Sequence, residues 1–149
     1  MKLRAVMATA FCALMNLVIM APTQASEDIE LVRYMGTMQY MAHKAGLAIG
    51  MKNQPLASFY VHEIEEIIER LEAVETYDGH AIGSLVKSIL VPSFEALEGA
   101  VKSGDWQNAD KGFERLLASC NTCHETTDHT YIRIQRSTVN PFMQSFESR

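Results

Sequence analysis

The chain has 149 residues, enough for one domain with an ordinary core. It is 48% apolar and 21% charged, with eight glycines and four prolines, which excludes a disordered or collagen-like chain. A formal net charge of −5 argues against nucleic-acid binding by electrostatics.

Residues 1–25 read as a secretory leader. Lys2 and Arg4 precede an apolar run from Ala5, and Thr23-Gln24-Ala25 places cleavage after Ala25. The apolar run, roughly 15 to 18 residues, is at the short end for spanning a bilayer, so no stable membrane insertion is expected. The expected location is the periplasm. Cleavage removes Lys2, Arg4 and Cys12 but no acid, which takes the net charge from −5 to −7. Cys120 and Cys123 then remain in an oxidising compartment, where a free pair tends to form a disulfide unless another group claims it.

From Ser26 onward the periodicity is helical. Over 27–53, Leu31, Met35, Met38, Ala42, Ala45 and Ile49 form one apolar stripe. Asn53-Gln54-Pro55 breaks it, with Pro55 suited to the first turn of the next helix. Over 54–76 the stripe is Ala57, Tyr60, Ile64, Ile67, Leu71 and Val74, with His62, Glu65, Glu66 and Glu69 on the other side. Tyr77-Asp78-Gly79-His80 supplies a turn. Over 81–103 the inward residues are Ile82, Val86, Leu90, Phe94, Leu97 and Val101, and Pro92 predicts a kink. Gly104 stops this helix and Asp105 caps the fourth, whose stripe is Trp106, Ala109, Phe113, Leu116, Cys120 and Cys123.

Four such stripes on short loops bury their apolar faces against one another. The expectation is an all-α, up-down-up-down four-helix bundle over 26–125 with an extended C-terminal tail over 126–149. In that tail Tyr131, Arg133 and Gln135 alternate with Ile132 and Ile134, which suggests an extended segment laid across the bundle.

Cys120-Asn121-Thr122-Cys123-His124 is the attachment signal of a c-type haem. On a helix the two thiols lie one turn apart, where both reach the vinyl groups along one porphyrin edge, and His124 reaches the iron from the same face. Two other readings compete. Zinc would use Cys120, Cys123, His124 and His129, but adjacent ligands fit a tetrahedron poorly and the usual spacing between ligand pairs is missing. A thioredoxin-like disulfide needs a βαβ setting, which the chain lacks.

With this motif on the last of four helices, the chain resembles the cytochrome c-prime family and its low-spin relatives over about residues 27–125. The resemblance implies one covalent haem c, with Cys120 and Cys123 as attachments and His124 as proximal ligand. It also implies that the residue on the open side of the iron comes from the first helix: aliphatic in gas-binding members, methionine in electron carriers. Met38 is the first candidate, because Ala42 one turn on leaves room for a ring; Met35 is the second and Met143 the third. Some 25 residues follow His124, where the family has only a few. Relatives often pair, so a homodimer is an expectation on the same ground.

Arg133 and Arg136 follow the haem helix and are candidates to pair with propionates, ordinary surface charge being the alternative. Tyr131, Ile132, Phe142 and Phe146 are candidates to cover the haem edge. His62 is expected in solvent, and His43 falls off the first stripe, which argues against bis-histidine ligation. Two functions follow. The first is a single-electron carrier whose acidic surface suits redox partner proteins with a basic docking patch. The alternative is a five-coordinate haem that binds nitric oxide or carbon monoxide. An enzyme is not expected: peroxide chemistry needs a distal acid–base group, and the first helix offers only His43.

Overall fold

The computed structural model describes residues 24–148, with side chains from Glu30 onward. Residues 1–23, and with them nearly all of the expected leader, lie outside the described residues.

Helix α1 (Gln24–Gly50) buries Leu31, Met38, Ala42, Ala45 and Ile49 and half-buries Met35, the stripe that the spacing predicts. Lys52, with φ +52°, reverses the chain. Asn53 then accepts the Leu56 N–H and caps α2 (Gln54–Glu72), with Pro55 in the first turn, where a missing N–H costs nothing. The helix ends short of residue 76 because the Val74 carbonyl takes the Gly83 N–H at 2.8 Å. That approach is close enough that a Cβ on Gly83 would lie 2.3 Å from the Glu72 carbonyl oxygen. The intervening loop reverses through Asp78 (φ +48°) and Gly79 (φ +82°), flanked by a Tyr77–His80 bridge.

The third helix, α3, comprises an α-turn Ile82–Leu85, a π-turn Val86–Leu90 and an α-helix Val91–Ser103. Where a kink is predicted at Pro92, the turn that precedes it is a π-turn. Proline withholds the N–H due to the residue 88 carbonyl and its ring crowds that carbonyl, so the preceding turn widens without breaking the helix. Gly104, at φ +70°, closes α3, and Asp105 accepts the Asn108 N–H at 3.1 Å to cap α4 (Trp106–Thr126).

The four helices form an all-α, up-down-up-down bundle, and the only strand pairing among the described residues is the single bridge at Tyr77 and His80. Helix α1 packs chiefly on α2, and α3 on α4, while the α1–α4 seam is thin. Toward the base of that seam Gly46 admits the Phe113 ring, whose nearest atoms would lie 2.7 Å from a Cβ at that position. No described helix is long and apolar enough to cross a membrane.

The chain after Thr126 is irregular and lies along the bundle, following the thin seam. Arg136 reaches Asp110 and Glu114 on α4 at 2.7 and 2.9 Å, and His43 on α1 meets the Val139 carbonyl at 2.9 Å. Lys44 donates to Gln144 at 3.0 Å and lies 4.8 Å from the ring centres of Tyr40 and Phe142. Phe146 is buried, and Asn53 donates to the carbonyls of Phe146 and Glu147. The alternation read at 131–135 holds only in part: Tyr131, Arg133 and Gln135 are exposed and Ile134 packs on the core, but Ile132 is exposed as well.

Candidate functional site

The first half of α1, the end of α2, the start of α3 and the end of α4 meet at one end of the bundle, as the antiparallel order requires. Between them lies a cavity of about 310 Å³. Protein interiors are close-packed, with few voids larger than a water molecule, so a cavity of this size is a candidate site. Its walls are almost wholly apolar: Leu31 from α1, Leu71 from α2, Ile82 and Leu90 from α3, and Leu117 from α4. Exposed Val32 and Ile132 also line it, so its mouth reaches the surface.

The conserved geometry of a helix places Cys120, Cys123 and His124 on the cavity wall, and Met35 and Met38 line it from α1. Five residues singled out from the sequence thus share one cavity. Met38 is buried and Met35 half-buried. The two cysteines are free, not joined to each other. Burial pushes the Cys120 thiol up to about 12, with the neighbouring Cys123 adding to the rise. Burial also raises Cys123. These are protonated thiols at neutral pH, unlike the low-pKa thiols of dithiol redox motifs.

His124 is oriented by the chain that follows it. Its Nδ1 lies 3.0 Å from the Ile132 carbonyl oxygen. A carbonyl only accepts, so Nδ1 carries the proton and Nε2 is left with a free lone pair, the tautomer a metal ligand needs. The chain reverses to reach it: Thr127 donates back to the Cys123 carbonyl, Asp128 adopts φ +61°, and the His129 N–H donates to the His124 carbonyl at 2.7 Å.

Other candidates sit elsewhere. His129 lines the cavity but turns Nδ1 toward the Thr127 carbonyl, with Tyr77 and Tyr131 beside its ring. Among the described residues no three His, Cys, Asp or Glu side chains gather to hold a metal ion. Arg133 is exposed and faces Glu125 at 3.7 Å. Arg136, held by Asp110 and Glu114, lies over the Phe113 ring and lines a smaller neighbouring cavity of about 110 Å³ with His43. Neither arginine lines the main cavity. Met143 is fully exposed. Of the four residues read as covering a haem edge, Ile132 lines the cavity, Tyr131 is exposed beside His129, and Phe142 and Phe146 pack near Tyr40 and Tyr60 instead.

No family model, curated protein or solved structure matches the chain. The site therefore has to be judged on its own chemistry. Its donor set fits a c-type haem: two unpaired thiols one helical turn apart, an imidazole with Nε2 available, two thioethers from the facing helix, and apolar walls suited to a flat macrocycle. Two contributors escaped the sequence reading, the Ile132 carbonyl and the side chain of Asn121. Backbone atoms leave no trace in a sequence, and an asparagine inside the motif reads as a spacer.

Proposed function

We propose that the chain is an exported c-type cytochrome that carries single electrons. The observation that carries this reading is the convergence of Cys120, Cys123 and His124 with Met35 and Met38 on one apolar cavity. Cys120 and Cys123 would hold the haem, each thiol adding across a vinyl group so that an S–C bond forms at one vinyl carbon and the thiol hydrogen goes to the other. That addition is redox-neutral and would need no oxidant, provided that both cysteines reach it as thiols. His124 would bind iron through Nε2, with Nδ1 kept on the Ile132 carbonyl. Met38, buried on the facing helix, would be a second iron ligand, with Met35 as the next candidate. When bound, the haem supplies an iron that cycles between ferric and ferrous forms. The apolar walls exclude water and, with a thioether ligand, favour the ferrous form, which raises the potential. The resemblance to the cytochrome c-prime family is consistent with this assignment, and the acidic balance of the chain suits a basic docking partner.

A carbon monoxide titration of the reduced protein tests the ligand assignment. An unreactive low-spin spectrum, converted by Met38→Ala into one that binds the gas promptly, is the expected result. Prompt binding by the unaltered protein would reject methionine ligation and favour a five-coordinate gas-binding haem.

A further inference from the structure

The cavity wall contains a contact that the haem reading does not require. Asn121, between the two cysteines, grips the returning chain with both ends of its amide. Its Nδ2 donates to the Ile134 carbonyl at 2.9 Å, and its Oδ1 accepts the Ile134 N–H at 2.7 Å. One residue pair thus satisfies a donor and an acceptor at once, and the amide can do so in only one orientation. Two residues before Ile134 is the carbonyl that holds His124 Nδ1. The returning chain runs antiparallel to α4, with residue 134 against 121 and residue 132 against 124.

We infer that Asn121 is a positioning residue: by fixing Ile134 it sets the Ile132 carbonyl against His124 and so tunes the iron's proximal ligand. This inference rests on the haem reading above. The clamp explains why 132–134 can be irregular and still hold a hydrogen bond at a partly exposed ring. Ile132 is itself 41% exposed and the helix has already ended, so the clamp adds a second hold on that carbonyl beside the Ile132 N–H bond to the His129 carbonyl at 2.9 Å. Ile134 lines the cavity together with Ile132, so the returning chain supplies both wall and orienting group. An Nδ1–H to carbonyl bond raises the basicity of the imidazole and favours ferric iron. Loss of the clamp lets that bond lapse, and the midpoint potential rises. Aspartate cannot replace asparagine fully. It still accepts the Ile134 N–H, but it has no N–H for the Ile134 carbonyl and sets two acceptors face to face.

The test compares the haem-loaded full chain with its Asn121→Ala, Asn121→Asp and Phe146→Ala variants, each first weighed for covalent haem. Expected results are a raised potential and at least tenfold faster Ile134 amide exchange in Asn121→Ala, with Asn121→Asp between it and the parent. Phe146→Ala loosens the far end of the tail and should leave the potential unchanged. Haem-loaded Asn121→Ala with the parent's potential would overturn the inference, and so would a potential that moves equally in Phe146→Ala. A parent chain that carries no haem after maturation would instead overturn the cofactor reading, and this inference with it.

Discussion

At the residue scale the placement of Cys120, Cys123 and His124 together was legible because side-chain spacing on a helix is set by sequence spacing. Met35 and Met38 were legible as stripe positions, and the structure brings both to the cavity. What distinguishes them is burial, since Met38 is 6% exposed and Met35 only packs against the core. The arginines were not legible. Arg136 is claimed by two carboxylates, Asp110 and Glu114, more than twenty residues away in sequence, and no pattern in the tail announces that. The buried thiol of Cys120 gives a pH prediction for the full chain before haem attachment. Its folded value, about 12, stands above the ordinary value of 9.0 because burial disfavours the thiolate. Its stabilising contribution is therefore complete below pH 9 and is lost as pH rises from there toward 12. Urea midpoints measured from pH 7 upward should fall in that window, and Cys120→Ser should flatten the fall.

At the element scale, periodicity gave the four helices and their inward faces, with the main departures at α2 and α3. α2 stops early because a tertiary contact, Gly83 N–H to Val74 carbonyl, takes the chain away, and no local signal encodes it. In α3 the proline effect falls on the preceding turn, Val86–Leu90, which puts Val86 and Leu90 on the cavity wall. The thin α1–α4 seam depends on Gly46 as much as on any apolar residue. Gly46→Ala sets a methyl 2.7 Å from the Phe113 ring and should cost about 1–3 kcal/mol, read as a lowered denaturant midpoint with an unchanged slope. The tail is the other half of that seam. Phe146 is buried against the bundle, and Phe146→Ala should cost about 3–5 kcal/mol, less if the chain end readjusts. Amide exchange confined to the tail in that variant would show that the strap opens apart from the bundle.

For the whole molecule, the antiparallel order of the helices matters most. It brings the end of α4 to the first half of α1, so a motif near the end of the sequence faces methionines near its beginning across one cavity. That juxtaposition could be anticipated from the bundle alone. The path of the tail could not, because its anchors are single polar contacts: Asn121 to Ile134, His43 to Val139, Lys44 to Gln144 and Asn53 to Phe146. They tie the cavity end of the bundle to the α1–α2 loop at the other. The formal charge of −5 bears on partners. Electron exchange with a basic protein should slow as salt rises, and a salt-independent rate would argue against electrostatic docking.

The covalent claim is tested most directly by weighing the protein after expression in cells that mature c-type cytochromes. The account predicts one haem per chain that survives denaturation and acid extraction, and its loss in the Cys120→Ser/Cys123→Ser double variant. A colourless product with the mass of the polypeptide alone would contradict it.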